Sequence, residues 1–171
     1  MRKGLPKQRS REVHYEALPF DQVPAFVAGL RTGKLSESCR LAFELLILTA
    51  TRTSEVLLAE AREVDLEAGG WVIPSSRMKM SKEHRIPLPP RAGEIVKAAQ
   101  RLGGDRYLFP GQRHGRPLSN MAFLQAVRRL KAKCVPHGFR SSFRDWAAEK
   151  TSFPGMVAEA ALAHAVPDQV E

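Results

Sequence analysis

The sequence predicts a mostly helical α+β fold with one small antiparallel β-hairpin or three-stranded edge sheet. Apolar residues recur at helical spacing through most of the chain. One region, residues 71–89, instead has two short apolar runs on either side of a basic stretch, with prolines that confine such strands to a sheet edge. With 171 residues and 43% hydrophobic content, the chain can bury the core of one domain without a disulfide or a metal.

The first part of the chain predicts a basic arm and two helices. Residues 1–18 are basic without a period, which is typical of a linker or arm that could lie on a phosphate backbone. A helix follows from about Asp21 and ends before a glycine. A second helix runs from near Ser36 to about Ala50, and its leucines at helical spacing make it a core helix.

The helical pattern breaks at residues 51–55, where hydroxyl side chains favour a new helix start, and a third helix continues to Leu58. Arg52 therefore lies at a helix junction, where its guanidinium and the first amides of the new helix would face an anion together. Glu55 is placed to hold Arg52 or to favour the helix N-terminus. An ordinary surface ion pair between these two residues is the alternative at this point.

The basic stretch of the predicted hairpin carries cations away from the helices. A long lysine on a mobile hairpin can reach a groove or a leaving group, whereas a solvated edge strand protected by charge is the alternative. The cations are Arg77, Lys79, Lys82 and Arg85.

The second half of the chain predicts three further helices besides the one at residues 137–146. An apolar strand or turn at residues 107–111 separates the first two. Residues 128–133 form a basic strip for which phosphate contact and solvation are equal alternatives. The helices run from about Ala92 to Leu102, from about Ser119 through Leu130, and from Met156 to Ala163.

Residues 137–146 predict a helix that presents cations on one side and aromatic rings on the other. His137, Arg140 and Arg144 lie one turn apart, so we expect them to point outward. A histidine and an arginine three residues later can bind one phosphate through charge-assisted hydrogen bonds. A merely solvated basic face is the alternative. The expected buried stripe consists of Phe139, Phe143, Trp146 and Ala147.

The charge balance points to a polyanionic partner. Lys and Arg number 27 against 18 Asp and Glu, which gives a net charge of +9. The two cysteines are far apart in sequence and show no metal-ligand spacing with the five histidines, so a zinc protein is not expected. The longest apolar run is too short to cross a bilayer. We expect a reducing cytoplasm, no membrane role and no cofactor.

Four short sequence motifs, here called boxes, together resemble the catalytic domain of tyrosine recombinases, in particular bacteriophage-type integrases. Their order along the chain and their helix or hairpin contexts fit that family. The boxes are an Arg-x-x-Glu after a core helix, a hairpin lysine, a His-x-x-Arg, and a later Leu-Ala-His. The resemblance covers roughly residue 20 to the end of the chain. In this sequence the boxes lie at residues 48–56, 77–88, 137–140 and 161–164.

The resemblance implies DNA strand cleavage and rejoining without a metal, in which a tyrosine attacks a phosphodiester and forms a phosphotyrosyl intermediate. Two arginines would clamp the non-bridging oxygens, a hairpin lysine would protonate the leaving oxygen, and two histidines would donate hydrogen bonds or move a proton. The implied catalytic residues are Arg52, Lys79, His137, Arg140 and His164, with Glu55 in support. Arg77, Lys82 and Arg85 are implied to contact DNA, and Lys82 stays open as the general acid instead of Lys79.

One departure from the family pattern concerns the nucleophile, which should follow His164 shortly. The only tyrosines are Tyr15 and Tyr107, and neither matches that position. We therefore expect residues 19–171 to be an integrase catalytic domain that stops before its nucleophile and is inactive alone. Its partner would be double-stranded DNA, with the full-length protein a tetramer on DNA and the fragment a monomer.

Two rival functions remain open at this stage. A non-catalytic DNA-binding module, such as a decayed or regulatory integrase fragment, would keep the basic surface without needing an intact cluster. A type IB topoisomerase would share the chemistry, although the hairpin spacing and the Leu-Ala-His segment resemble an integrase more.

Overall fold

A computed structural model describes residues 16–164, and its seven helices and one sheet match the predicted mostly helical α+β class. Single 3-10 turns lie at Phe20–Gln22, Ala61–Glu63, Ser75–Arg77 and Pro136–Gly138. No helix in the described part of the chain is long and apolar enough to cross a membrane. In chain order the elements are α1 Val23–Thr32, α2 Glu37–Thr49, α3 Thr53–Leu57, β1 Val64–Asp65, β2 Gly70–Ile73, β3 His84–Pro87, α4 Pro90–Gln100, α5 Asn120–Arg129, α6 Phe139–Lys150 and α7 Gly155–Ala161.

The sheet has three strands, one of the two forms that the sequence left open, and its first strand, β1, precedes the predicted residues 71–89. Its strands follow the order β1-β2-β3 and are antiparallel throughout. Trp71 and Ile73 of β2 are buried, and they pair with Ile86 and His84 of β3. Because side chains alternate along a strand, this register turns one face of β2 and β3 toward the helices. The lysine-bearing loop lies between Ile73 and His84, where the β2–β3 ladder ends.

The start of α2 matches the start predicted from the sequence, whereas the start of α1 differs from it. The Ser36 hydroxyl accepts the Cys39 amide at 3.3 Å, which is the capping bond expected of a serine just before a helix. Asp21, predicted to cap the first helix, instead lies inside a 3-10 turn, and α1 begins at Val23. Pro24 in the first turn of α1 fixes the backbone for a helix and has no amide that needs a partner.

Four phenylalanine rings from four different helices meet at the centre of the core. Phe43 of α2 lies 5.4 Å from Phe26, 4.6 Å from Phe123 and 5.5 Å from Phe139, measured between ring centroids. Such aromatic pairs contribute about 1 kcal/mol each beyond the area that they bury. Because Phe139 opens α6, this cluster fixes the start of α6 against α2.

A buried carboxylate joins three helices beside this core. Glu44 of α2 receives hydrogen bonds from Arg91 of α4, at 2.8 Å from Nε, and from Arg31 of α1, at 3.2 Å from Nε. Burial alone would raise the pKa of Glu44, but the hydrogen bonds and charges of the two arginines outweigh it and lower the pKa to about 2. Glu44 is therefore ionised at neutral pH, although it interrupts the apolar face of α2.

Three features of residues 137–146 differ from the prediction. Phe139 and Ala147 are buried as expected, but Trp146 is 44% exposed and so does not belong to the buried stripe. Arg140, expected on the outer face, is only 5% exposed. The 3-10 turn at Pro136–Gly138 precedes α6, so His137 does not continue the face of the α-helix that follows.

Residues 16–18 pack into the fold, although the sequence placed them in the basic arm. The Leu18 side chain is buried, its carbonyl accepts the Ser142 hydroxyl, and the Glu16 carbonyl accepts the Val135 amide at 3.0 Å. The remaining residues of the predicted arm, 1–15, lie outside the described residues. A side chain at Gly138 would meet this segment, because a Cβ there would lie 2.2 Å from the Glu16 carbonyl oxygen.

We expect Gly138→Ala to destabilise the protein by about 1–3 kcal/mol, the usual cost of forcing extra volume into a packed site. Gly93→Ala is the matched control, because Gly93 lies within α4 and nothing lies within 4 Å of its Cβ position. The control should stabilise the protein by about 0.5–1 kcal/mol, since alanine favours a helix. Urea unfolding of both variants measures these differences, and equal effects of the two substitutions would contradict this packing.

Candidate active site

Arg52 stands at the N-terminus of α3, as the sequence predicts, and Glu55 holds it in two ways. The Glu55 carboxylate accepts the Arg52 amide at 2.7 Å through Oε2 and the Arg52 Nη1 at 2.7 Å through Oε1. The side chain of Glu55 is 3% exposed, so this pair is largely desolvated. The hydroxyl of Thr51 bonds to Thr49 at 2.9 Å and does not cap α3. The carboxylate of Glu55 therefore takes the capping role expected of a hydroxyl.

Arg140 is buried between the C-terminal ends of α2 and α7. Its Nη1 donates to the Ala50 carbonyl at 2.6 Å, and its Nη2 donates to the Leu162 carbonyl at 2.6 Å. The ends of helices carry carbonyls without helical partners and a partial negative charge. These two carbonyls offset part of the cost of removing the guanidinium from water, which explains why Arg140 points inward.

Arg140 and Arg52 each donate to the carbonyl of an alanine that has a left-handed backbone conformation. Ala50 has φ 50° and accepts Arg140, whereas Ala163 has φ 49° and accepts Nη2 of Arg52 at 3.4 Å. A non-glycine residue in this conformation costs roughly 1–2 kcal/mol. At the end of α7, Ala163 and His164 donate their amides to Ala160 and Glu159, both at 2.9 Å, which is a Schellman motif. The backbone is thus strained at two positions that hold the arginines.

His164 lies at the end of this motif, between Arg140 and Glu159. Its Nε2 is 2.9 Å from Nη2 of Arg140, and its Nδ1 is 2.6 Å from Oε2 of Glu159. Because a guanidinium has only donors, Nε2 must accept, and Nδ1 must carry the proton that Glu159 receives. Glu159 also pairs with Nε of Arg144 at 3.1 Å. Glu159 therefore sets the tautomer of His164, a role that the sequence did not reveal.

The cluster is electrostatically positive. Burial, followed by the nearby charge of Arg52, lowers the pKa of Arg140 to about 10, so the guanidinium is still protonated at neutral pH. Partial burial lowers the pKa of His137 below its usual value, and the charges of Arg140, Arg52 and His164 lower it further. Arg52, Arg140 and His164 therefore all lie within electrostatic range of His137. A phosphate group among them would offset the repulsion between the two guanidiniums.

His84 is a further member of the cluster that the sequence did not single out. Its ring, half-buried in β3, lies within electrostatic range of Glu55, Arg52 and Arg140, and burial is the main cause that lowers its pKa. Two successive carbonyls at the end of α7, those of Leu162 and Ala163, accept the two arginines of the cluster. The signal in the sequence is the alternation of β3, which puts residue 84 on the same face as the buried Ile86.

The cations of the hairpin differ in their exposure and in their hydrogen-bond partners. Lys79 and Lys82 are exposed in the loop between β2 and β3, and within residues 16–164 no hydrogen bond or ion pair joins them to the arginine cluster. Arg85 is exposed and pairs with Glu83 at 2.8 Å. The geometry therefore does not distinguish the two lysines as proton donors.

Arg77 points inward, away from the surface where a DNA contact was expected. Its Nη1 lies 2.9 Å from Oε1 of Glu63, and its Nη2 donates to the Glu55 carbonyl. The side chain is only 16% exposed. This placement favours a structural role for Arg77, in which it joins the loop to α3.

The two carboxylates beside the cluster, those of Glu55 and Glu159, are bound to Arg52 and His164. Among residues 16–164, no three or more His, Cys, Asp or Glu side chains are placed to share a metal ion. The chemistry that this arrangement can perform with its own residues is the binding of an oxyanion by two guanidiniums and neighbouring imidazoles.

Known proteins of similar sequence are phage and prophage integrases. The sequence profile of the phage integrase family matches residues 16–170. The chain is 36% identical over 171 residues to prophage integrase IntA of Escherichia coli (strain K12), covering 98% of the chain and 41% of IntA. It is 30% identical over 175 residues to the integrase of Enterobacteria phage P4, covering 92% of the chain and 40% of that protein. The chain therefore spans about two fifths of the length of these curated relatives.

Solved structures show the same fold at lower identity. The XerH recombinase bound to its difH substrate matches with a TM-score of 0.73 at 21% identity, over 88% of this chain and 47% of XerH. A lambda integrase tetramer bound to a Holliday junction matches with a TM-score of 0.66 at 19% identity, over 95% of this chain and 50% of the integrase.

The positive cluster predicts an unusual titration of His137. We expect its pKa to lie below the ordinary value of about 6.5, because partial burial and the charges of Arg140, Arg52 and His164 disfavour the imidazolium. Arg52→Gln should raise this pKa, since it removes one positive charge. Arg85→Gln is the matched control, because Arg85 is exposed and pairs with Glu83. An NMR titration of the His137 ring proton measures both, and an equal shift in the two variants would contradict the assignment.

Proposed function

The chain belongs to the phage integrase family, and we propose that it carries the phosphate-binding part of an active site for site-specific DNA recombination. The observation that carries this proposal is the pairing of Arg52 and Arg140 on successive carbonyls of one helix end, those of Ala163 and Leu162. Two guanidiniums brought so close in a partly dry site are costly unless an anion joins them. A DNA phosphodiester supplies two non-bridging oxygens for such a pair.

The two arginines keep donors for that phosphodiester. A guanidinium has five N–H groups, and the bonds of Arg140 to Ala50, Leu162 and His164 engage three of them. Within the described residues, no hydrogen bond uses its Nε–H or the second hydrogen of Nη1. Arg52 has three N–H groups beyond those bonded to Glu55 and Ala163. Donors fixed in this way need no reorganisation when negative charge develops on the phosphoryl oxygens, and such preorganisation is a large catalytic term.

The remaining steps follow the family chemistry. A tyrosine oxygen, its proton given up to solvent, attacks the phosphorus. The new oxygen–phosphorus bond forms as the bond to the 5′-oxygen breaks, and a lysine of the hairpin loop protonates the departing oxygen. We place Lys79 or Lys82 in that role, since both are on the exposed loop beside the cluster. His137 would donate a hydrogen bond to the phosphate, whereas His164, whose Nδ1 proton goes to Glu159, would act by holding Arg140. The reverse attack by a second 5′-hydroxyl would rejoin the strand and release the tyrosine.

We place the nucleophile outside residues 16–164. Tyr107 forms a backbone bridge with Glu60, and Arg106 lies over its ring at 5.3 Å, so it belongs to a different contact network from the arginine pair. Tyr15 lies outside the described residues. In the family pattern, the tyrosine follows the position of His164, which here lies just after α7, beside Arg140.

The partner that we propose is double-stranded DNA, encountered in the cytoplasm. The net charge of +9 supports a polyanionic partner. XerH is described bound to its difH substrate and lambda integrase as a tetramer bound to a Holliday junction. By analogy with these proteins, the complete recombinase would work as a tetramer on DNA, integrating or excising a phage or genomic island.

The chain joined to a tyrosine-bearing C-terminal segment from a related integrase should form a covalent adduct with DNA. The substrate is a nicked duplex that spans a junction between the integrated element and its host chromosome, and the readout is a denaturation-resistant protein–DNA band. Arg140→Ala should lower the rate on the order of a hundredfold or more, because it removes oxyanion donors. Arg85→Ala removes an exposed cation from the β2–β3 hairpin instead, and it should lower the rate of adduct formation much less.

Two results would contradict this proposal. If the joined protein forms no adduct although it binds the duplex, the chain is a non-catalytic DNA-binding module. If the 171-residue chain alone forms an adduct that Tyr107→Phe abolishes, the nucleophile lies within the described residues.

A further inference from the structure

We propose that Glu159 is a positioning residue for the phosphate-binding arginines. Together with Arg144 and His164, it fastens the end of α7 to α6, and this end carries the carbonyls that orient Arg52 and Arg140. The inference rests on the proposed function, because it concerns how firmly the two guanidiniums hold one phosphate. It gives a role in anion binding to a residue that itself carries a negative charge.

The first support is a closed circuit of polar contacts between the two helices. Arg140 and Arg144 lie one turn apart on α6. Nη2 of Arg140 lies 2.9 Å from Nε2 of His164, whose Nδ1 lies 2.6 Å from Oε2 of Glu159. The other carboxylate oxygen, Oε1, forms an ion pair with Nε of Arg144 at 3.1 Å. The Glu159 carbonyl also accepts the His164 amide at 2.9 Å, so Glu159 holds His164 at two points.

The second support is that α7 has little apolar anchorage. None of its residues, Gly155–Ala161, is buried, and of the three described residues that follow, only Leu162 is buried. The carbonyls of Leu162 and Ala163 accept Arg140 and Arg52. Because few buried apolar contacts hold this helix, we infer that its polar contacts with α6 help to set where those two carbonyls lie.

The third support is the kind of group that the circuit requires. His164 accepts Arg140 at Nε2, so its proton lies on Nδ1 and needs an acceptor there. Nε of Arg144 also needs an acceptor, and the Glu159 carboxylate supplies one oxygen to each. A glutamine in its place would supply one acceptor, which could serve only one of the two. An alanine would supply none, so the His164 form with its proton on Nε2, which cannot accept Arg140, would gain population.

The charge of Glu159 makes this role testable, because charge and position predict opposite effects on phosphate binding. Glu159 lies within electrostatic range of Arg140. A carboxylate near a bound phosphate repels it, so neutralising Glu159 would tighten phosphate binding if only its charge mattered. Loss of a positioning contact would weaken phosphate binding instead.

The test titrates inorganic phosphate into the 171-residue chain and into the variants Glu159→Ala and Glu159→Gln, with binding followed by NMR of the His137 ring. We expect Glu159→Ala to weaken phosphate binding by roughly threefold to tenfold, the size of one lost hydrogen bond. Glu159→Gln keeps one acceptor for His164, so its affinity should lie between those of Glu159→Ala and the unsubstituted chain. An effect of charge alone would make the two variants alike and tighter than the unsubstituted chain.

A second measurement reports the tautomer of His164 without phosphate. Nitrogen chemical shifts of a neutral imidazole show which ring nitrogen carries the proton. The unsubstituted chain should have its proton on Nδ1, and Glu159→Ala should increase the fraction with the proton on Nε2. Glu149→Ala is the matched control, because it removes an exposed carboxylate of α6 whose side chain forms no hydrogen bond or ion pair within residues 16–164. The control should leave the tautomer unchanged and should not weaken phosphate binding.

The outcomes separate this inference from the proposed function. Unchanged or tighter phosphate binding by Glu159→Ala would overturn the inference, and so would an unchanged tautomer of His164 or an equal loss of affinity in Glu149→Ala. Thermal unfolding verifies that each variant is folded. If the alanine variant is unfolded, Glu159→Gln decides, because tighter binding than in the unsubstituted chain would overturn the inference. Absence of phosphate binding by the unsubstituted chain would instead contradict the proposed function, and the inference would fall with it.

Discussion

The structure depends on the burial of one guanidinium, that of Arg140, among carbonyls at the ends of two helices. With a residue exposure of 5%, this cation loses most of its contact with water, and an unpaired charge in such a place would be very costly. The carbonyls of Ala50 and Leu162 and the imidazole of His164 provide acceptors instead. To meet the same side chain, α2 and α7 must end at the same point in space, and this requirement accounts for much of the surrounding architecture.

Several features that cost free energy accompany the burial of Arg140. Ala50 and Ala163 adopt left-handed conformations where α2 and α7 end, and their carbonyls accept Arg140 and Arg52. The cluster of phenylalanines around Phe43 fixes the start of α6, from which Arg140 extends, and Gly138 lets residues 16–17 pass against the same turn. The site thus combines backbone strain and like-charge repulsion, both of which the packed core holds in place. A phosphate would relieve the repulsion, so ligand binding should tighten an arrangement that already exists.

Much of the fold was accessible from sequence because its signals are local. Ser36 begins α2, and the apolar runs at residues 71–89 form strands, since capping and alternation depend on near neighbours in the chain. The inward direction of Arg140 was not accessible, because it depends on the ends of α2 and α7, which are distant in sequence. The same reason hid Glu159, whose carboxylate matters only through the ring of His164. The inward direction of Arg77 was also not accessible from the sequence, since it depends on the contact with Glu63.

The most direct test of the account is whether one phosphate uses both arginines. Inorganic phosphate can be titrated into the chain, with binding followed by NMR of the His137 ring, in four proteins: unsubstituted, Arg52→Gln, Arg140→Gln and the double variant. Thermal unfolding verifies that each is folded. The account predicts strong coupling, so that each single substitution weakens binding nearly as much as both together. Losses that add within about 0.5 kcal/mol, the behaviour of independent positions, would contradict a shared phosphate site.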